Sequence, residues 1–330
     1  MSYEMERRVA VESVLEACRL CQNIQSTYLS REVITKSDKS PVTIADFGAQ
    51  ALISDHLKTS FPDVLLVAEE DSRLLRQNEN APLKEAVAAH VRQFRPHLSQ
   101  SQILEAIGVG SGDNVPKGRF WTLDPIDGTK GFLRGDQYAV ALALVDDGQV
   151  VLGVLGCPNL PVNGFNPQSP RGCLFVAVAG EGSVMRGFRA PVERRIHVTK
   201  LADPSQAIFC ESFESAHSSH EVTRQVANIL GTEKQPVRMD SQAKYGIVSR
   251  GDASIYFRLP VQHSYREKIW DHAAGSIIVE EAGGTVTDIK GKPLDFSADK
   301  KLINNKGIIA TNGNLHNFLL EAVQQVFLKS

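Results

Sequence analysis

The chain has 330 residues, 42% of them hydrophobic, with 36 Lys and Arg against 38 Asp and Glu. Such a length can bury a large core and suggests two domains, or one with a composite core. The balance of charge argues against a protein that coats nucleic acid, and the longest apolar run, Tyr138 to Val145, is far short of the roughly 20 residues of a membrane helix. Five cysteines do not make a disulfide framework in a chain this long. The start, from Met1 to Arg8, has no apolar signal region. The expectation is a reduced, cytoplasmic globular protein.

Val11, Val14, Leu15, Cys18 and Cys21 share one face of an N-terminal amphipathic helix. On that stripe the two cysteines read as small buried hydrophobes rather than a redox pair. A polar loop at 36–41 precedes a helix from about Thr43 to Lys58, stopped by Phe61-Pro62. A strand at 64–68 leads into Glu69-Glu70-Asp71, then a helical stretch at 81–106 and a Gly-rich loop at 107–118. From Arg119 the pattern turns to β. A strand at 120–123 ends in an acidic loop, and hairpins follow around Asp146-Asp147-Gly148 and Gly180-Glu181-Gly182. The second half alternates: strand 207–211, helices near 219–230 and 242–250, strand 253–258. A helix at 271–282 is closed by Gly283-Gly284, and a strand near 307–311 and a helix from Asn314 end the chain. This order predicts a layered α/β sandwich with an antiparallel-rich larger part, residues 1–195, and a smaller α/β part, residues 196–330.

The most informative stretch is Asp124-Pro125-Ile126-Asp127-Gly128-Thr129. Two carboxylates three apart, in a backbone stiffened by Pro and bent at Gly, can converge on one point. Hard divalent cations want such oxygens together with an exposed carbonyl. Taken alone, the pattern reads better as an Asx turn. Glu69 to Asp71 reads as a solvated turn, Asp271 as a helix N-cap, and Asp46, three after Thr43, as half of a capping box. Four acidic clusters at element ends, in the order helix, strand, strand, helix, favour one shared site.

These stretches resemble the metal-dependent, lithium-sensitive phosphatase superfamily that includes inositol monophosphatase and fructose 1,6-bisphosphatase. The resemblance is carried by Ser40 to Asp46, Asp124 to Gly135, His217 to His220, Asp240 to Tyr245, Arg258 to Pro260 and Glu267 to Gly275. Within it, the closer likeness is to the fungal and plant 3'(2'),5'-bisphosphate nucleotidases. Ala68 stands where the wider superfamily usually has Gly.

The resemblance implies that Glu69, Asp124, Asp127, Asp271 and the Ile126 carbonyl hold Mg²⁺, and that Asp46 and Thr129 act on the attacking water. It implies that His217, Ser241, Lys244 and Arg258, together with Thr129 and Asp271, contact adenosine 3',5'-bisphosphate, whose 3'-phosphate is removed to give AMP. The position of Glu267 and Lys268, just before Trp270, is compatible with the same wall, but they are not among the expected site residues. Lys244 and Arg258 read from sequence alone as surface or helix-end cations. His217 and His220 have no third ligand at zinc spacing. The alternatives are an inositol polyphosphate 1-phosphatase or other inositol phosphate phosphatase, and an inactive nucleotide- or metal-binding regulator. An intact Thr129 argues against the latter. The expected partner is a small phosphorylated nucleotide, with no nucleic-acid polymer and no membrane.

Overall fold

The fold is described from a computed structural model covering residues 3–28, 33–35, 41–111, 115–166, 168–213, 220–259 and 265–327. The helix α1 (Glu4–Tyr28) is followed by a short hairpin, β1 (Val33–Thr35) and β2 (Pro41–Thr43), then by α2 (Ile44–Ser60) and β3 (Leu65–Ala68). The stretch 81–106 is two helices, α3 (Ala81–Arg92) and α4 (Gln100–Gly108). The break contains Pro96, and Ser99 restarts the helix through a reciprocal cap with Gln102. Next come β4 (Phe120–Asp127), α5 (Thr129–Arg134), β5 (Ala139–Asp146), β6 (Gln149–Pro161), β7 (Arg171–Val178), β8 (Gly182–Gly187) and β9 (Arg194–Arg195). The remainder is β10 (Phe209–Glu211), α6 (His220–Leu230), β11 (Val237–Arg238), α7 (Ala243–Ser249), β12 (Ile255–Arg258), α8 (Ala273–Glu281), β13 (Thr285–Thr287), β14 (Ile308–Thr311) and α9 (His316–Phe327).

Strands β3 to β9 form one sheet in sequence order, antiparallel except for the parallel β3–β4 pair. The second sheet has the order β11-β10-β12-β14-β13 and mixes parallel and antiparallel pairs. Alternation along the strands sorts the core into layers. Trp121, Leu123, Leu142 and Leu144 face α1 and α2. Phe120, Ala141, Ala143 and Phe175 face α7 and α8, whose other side meets Tyr256, Ile308 and Ala310 of the second sheet. Phe209, Ile255, Phe257 and Ile309 point the other way, toward α6 and α9. The result is an α/β/α/β/α sandwich.

The middle layer positions the site. Helix α8 lies close to the large sheet because that face carries Ala139, Ala141, Ala143 and Gly153. A Cβ on Gly153 would come within 2.5 Å of Ile277. The N-terminal end of α8 is thereby held near the end of β4. Cys18, Cys21, Cys157, Cys173 and Cys210 are all buried and unpaired by disulfides. No helix among the described residues is long and apolar enough to cross a membrane.

Candidate active site

Four chain segments supply the acidic groups. β4 does not end at Leu123 but runs on to Asp127, with its register against β5 shifted between Asp124 and Asp127. In a regular strand, residues three apart face opposite sides. One extra residue in a bulge restores them to the same side. Pro125 has no amide to donate and is tolerated at such an irregularity. Asp124 Oδ1 accepts the Ile126 N–H at 3.1 Å, so the expected Asx-type bond does exist, but inside a strand. Gly128 then turns the chain at φ 86° into α5, and a Cβ there would stand 3.1 Å from the Cβ of Ser241.

Of the three acids after β3, Glu69 interacts with the cluster. Its N–H donates to the Leu123 carbonyl at 3.2 Å, and its charge is felt by Asp124 and Asp271. Glu70 is buried and held by its backbone to the Gln50 side chain, while Asp71 pairs with exposed Arg73. Ala68 has its methyl against Gly110, where an added Cβ would approach to 2.5 Å, so a one-carbon departure at this position fits.

Asp46 has two roles. Its Oδ2 accepts from the Thr43 N–H at 2.8 Å and from the Thr43 hydroxyl at 2.6 Å, completing the capping box of α2. Its Oδ1 faces the Thr129 hydroxyl at 3.4 Å, and that hydroxyl is 3.2 Å from the Ile126 carbonyl. Asp271 is not the cap of α8. It closes a 3₁₀ turn, Ile269–Asp271, and His272 takes the cap position without a side-chain bond.

Burial raises the pKa of Asp124 well above the carboxylate range, and the charges of Glu69, Asp127, Asp271 and Asp46 raise it further. Asp271 is likewise pushed well up by burial; Arg258 opposes the shift, while Asp127, Glu69 and Glu267 add to it. Asp127 is raised by burial against the pull of Lys244, the Gln242 N–H and Arg258. Like charges at ~4 Å repel by ~4 kcal/mol at an effective dielectric of about 20. A few such pairs rival the ~5–15 kcal/mol net stability of a domain. Buried and half-buried carboxylates so arranged hold protons or a cation, and an all-oxygen donor set of this kind suits a hard divalent cation.

The cations lie beside this cluster and are not surface charges. Lys244 is buried in α7, with Nζ 3.3 Å from the Met239 carbonyl and 5.3 Å from the Tyr256 ring centroid. Burial lowers its pKa, although Asp127 and Asp240 favour its charged form. Arg258 Nε is 3.1 Å from Glu267 Oε2, and its Nη2 donates to the Tyr265 hydroxyl at 3.2 Å. Burial is the largest single influence and would lower the Arg258 pKa, but Glu267, Tyr256, Tyr265 and Asp271 together outweigh it and the net shift is upward. Ser241 sits in the left-handed region at φ 69°, beside Gly128. Lys268 lies over the Trp270 ring. His217 lies outside the described residues. His220 Nε2 lies 3.0 Å from the Ser212 carbonyl oxygen, at the start of α6.

The sequence suggests no more for Glu267 than a place near the substrate wall. Glu267 is buried, and Oε2 also meets His272 Nε2 at 3.2 Å, while His272 Nδ1 is 2.8 Å from the Tyr245 hydroxyl. Burial lowers the His272 pKa and raises that of Tyr245. The consistent assignment is therefore a neutral imidazole that donates to Glu267 and accepts from Tyr245. Nothing in the spacing of Tyr245, Arg258, Glu267 and His272 announces that chain.

The fold and the clustered carboxylates define a member of the inositol monophosphatase family, and the chain belongs to it: that family's model matches residues 2–327. Its relatives include 3'(2'),5'-bisphosphate nucleotidase from Oryza sativa, 47% identical over 98% of this chain and 94% of the relative. Another, 3'(2'),5'-bisphosphate nucleotidase 1 from Arabidopsis thaliana, is 48% identical over 98% and 97%, respectively. Among solved structures, an inositol monophosphatase (IMPase) from Thermotoga maritima superposes with a TM-score of 0.66 at 23% identity, covering 97% of each chain.

Proposed function

We propose that the chain is a Mg²⁺-dependent phosphomonoesterase that removes the 3'-phosphate of adenosine 3',5'-bisphosphate, or of its 5'-phosphosulfate form, in the cytoplasm. One observation carries the reading: Glu69, Asp124, Asp127 and Asp271 form one interacting acidic cluster, Asp46 acts on Asp124 and faces the Thr129 hydroxyl, and Lys244 and Arg258 are close enough to act on Asp127. The names of the nucleotidase relatives support the choice of substrate.

Glu69, Asp124, Asp127, Asp271 and the Ile126 carbonyl are the residues that would hold the metal. When bound, Mg²⁺ neutralises phosphoryl oxygens and lowers the pKa of water. Thr129 and Asp46 orient the attacking water, with the Thr129 hydroxyl passing a proton toward Asp46. Attack forms a new P–O bond, the P–O3' bond breaks, and the ribose 3'-oxygen takes up a proton. Lys244 and Arg258 neutralise the second phosphate, the Arg through its planar fork. Ser241 and His217 contact the nucleoside. Residues 1–195 and 196–330 form the two parts between which the substrate lies.

The test is a phosphate-release panel with Mg²⁺ on adenosine 3',5'-bisphosphate, its 5'-phosphosulfate form, inositol 1,4-bisphosphate, inositol 1-phosphate and fructose 1,6-bisphosphate, each repeated in excess chelator. The expected result is highest kcat/KM on the nucleotides and none in chelator. Faster turnover of an inositol phosphate would favour the inositol phosphatase reading. Undiminished turnover in chelator would contradict the metal assignment.

A further inference from the structure

Asp127 and Asp271 come from different sheets' surroundings, β4 and the turn before α8, and a single residue touches the backbone or side chain of both segments. Gln242, buried at 2% exposure, donates its backbone N–H to Asp127 Oδ2 at 2.6 Å. Its side-chain amide donates through Nε2 to the carbonyl of Trp270 at 2.8 Å, the residue before Asp271. Its Oε1 accepts the Gly275 N–H at 3.0 Å. Gly275 is the third residue of α8, whose own cap residue His272 makes no side-chain cap bond. The orphan donor at that helix start is thus satisfied by Gln242, from another segment. The left-handed backbone of Ser241 turns the chain just ahead of that N–H. Gly275 has no Cβ, and one placed there would come 2.2 Å from Tyr245 in α7, so only glycine at this position lets α7 and α8 pack this closely.

We propose that Gln242 is a positioning residue that fixes the separation of Asp127 and Asp271 and so sets divalent-metal affinity. The proposal rests on the metal reading of the carboxylate cluster. Outer partners of metal ligands act in this way because they hold first ligands in one orientation, and losing one costs about 10- to 100-fold in affinity. Gln242→Met keeps the side-chain volume and the backbone N–H but removes both side-chain bonds that hold the 270–275 segment.

The experiment measures equilibrium binding of Mn²⁺ alone, by titration followed by electron paramagnetic resonance, without substrate. Wild type, Gln242→Met and Val323→Ala are compared well below their melting temperatures. Val323 is a fully buried residue of α9 in the far apolar cluster, and its truncation serves as a destabilised control. The expected result is Mn²⁺ affinity about 10- to 100-fold weaker in Gln242→Met and unchanged in Val323→Ala. Wild-type affinity in Gln242→Met would overturn the proposal, as would equal weakening in both variants. If wild type itself binds no Mn²⁺, the metal reading fails first. Where Gln242→Met yields no folded protein, Gln242→Asn, one methylene too short to make both bonds, is read in the same way.

Discussion

Thr129 Oγ1 stands between two acceptors, Asp46 Oδ1 at 3.4 Å and the Ile126 carbonyl at 3.2 Å. One hydroxyl proton therefore serves either the carboxylate of α2 or the backbone of the β4 bulge. The same Asp46 holds the start of α2 through its other oxygen, which fixes the carboxylate in place without the help of Thr129.

The two groups should separate experimentally. Thr129→Val keeps the shape and removes the proton path, so kcat should fall by about 10²–10⁴ with the metal-induced rise in melting temperature retained. Asp46→Asn should lose comparable rate and also about 1 kcal/mol of stability through the weakened cap. Steady-state kinetics beside thermal melts with and without Mg²⁺ check both. Wild-type kcat in Thr129→Val would remove the dyad from the mechanism.

Lys244 and Arg258 should matter for the second phosphate. Lys244→Met retains the buried stem without the charge, and Arg258→Lys retains a charge near Glu267 without the fork. Losing a charge-assisted contact should cost about 1.5–3 kcal/mol, or roughly 10- to 150-fold in kcat/KM, on the bisphosphate. A simple monophosphate should be hydrolysed almost as well as before. Equal losses on both substrates would place these residues in support of the fold or the metal cluster.

Asp124 gives a pH dependence with a definite sign. In the metal-free protein its pKa is raised by burial and by its acidic neighbours. Between the unfolded and folded pKa values the folded chain keeps a proton that the unfolded chain has released, so stability falls as pH rises through that window. Asp124→Asn removes this loss. From about pH 5 to about pH 8 the metal-free wild type should lose melting temperature relative to Asp124→Asn, and Mg²⁺ should restore it in the wild type only. A constant difference across that range would mean the carboxylate does not titrate with folding.

Gly128→Ala tests the corner between β4 and α5. The left-handed φ of 86° and a Cβ only 3.1 Å from that of Ser241 both oppose a side chain. The backbone penalty alone is roughly 1–2 kcal/mol, and any relief must move Thr129 or Ser241. The expected outcome is a lower melting temperature together with a lower kcat. A stable variant with full kcat would show that the corner relaxes without disturbing the site.

Much of this arrangement can be read from the chain. Asp124 to Thr129 declares itself because Pro and Gly mark a bulge and a turn around paired acids, and Thr43 to Asp46 declares a helix start. The Asp46 cap and its contact with Thr129 both exist, so the structural and functional readings of that residue are compatible. The break between α3 and α4 is also written, in Pro96 and in Ser99 followed by Gln102, but apolar periodicity over 81–106 masks it. Lys244 and Arg258 look like surface cations because burial depends on what packs over them. Gln242 is the least legible: its partners Asp127, Trp270 and Gly275 lie 115, 28 and 33 residues away. No local pattern encodes a contact made by bringing two sheets around one helix.

The central claim is a metal-dependent attack on one particular phosphate of a nucleotide bisphosphate. Its most direct measurement is product identity: adenosine 3',5'-bisphosphate is incubated with the protein and Mg²⁺, and the nucleotide formed is assigned by phosphorus-31 resonance and chromatography. The account predicts adenosine 5'-monophosphate and one equivalent of phosphate, with no reaction in chelator. Formation of adenosine 3'-monophosphate, or an unchanged substrate beside active hydrolysis of inositol 1-phosphate, would contradict it.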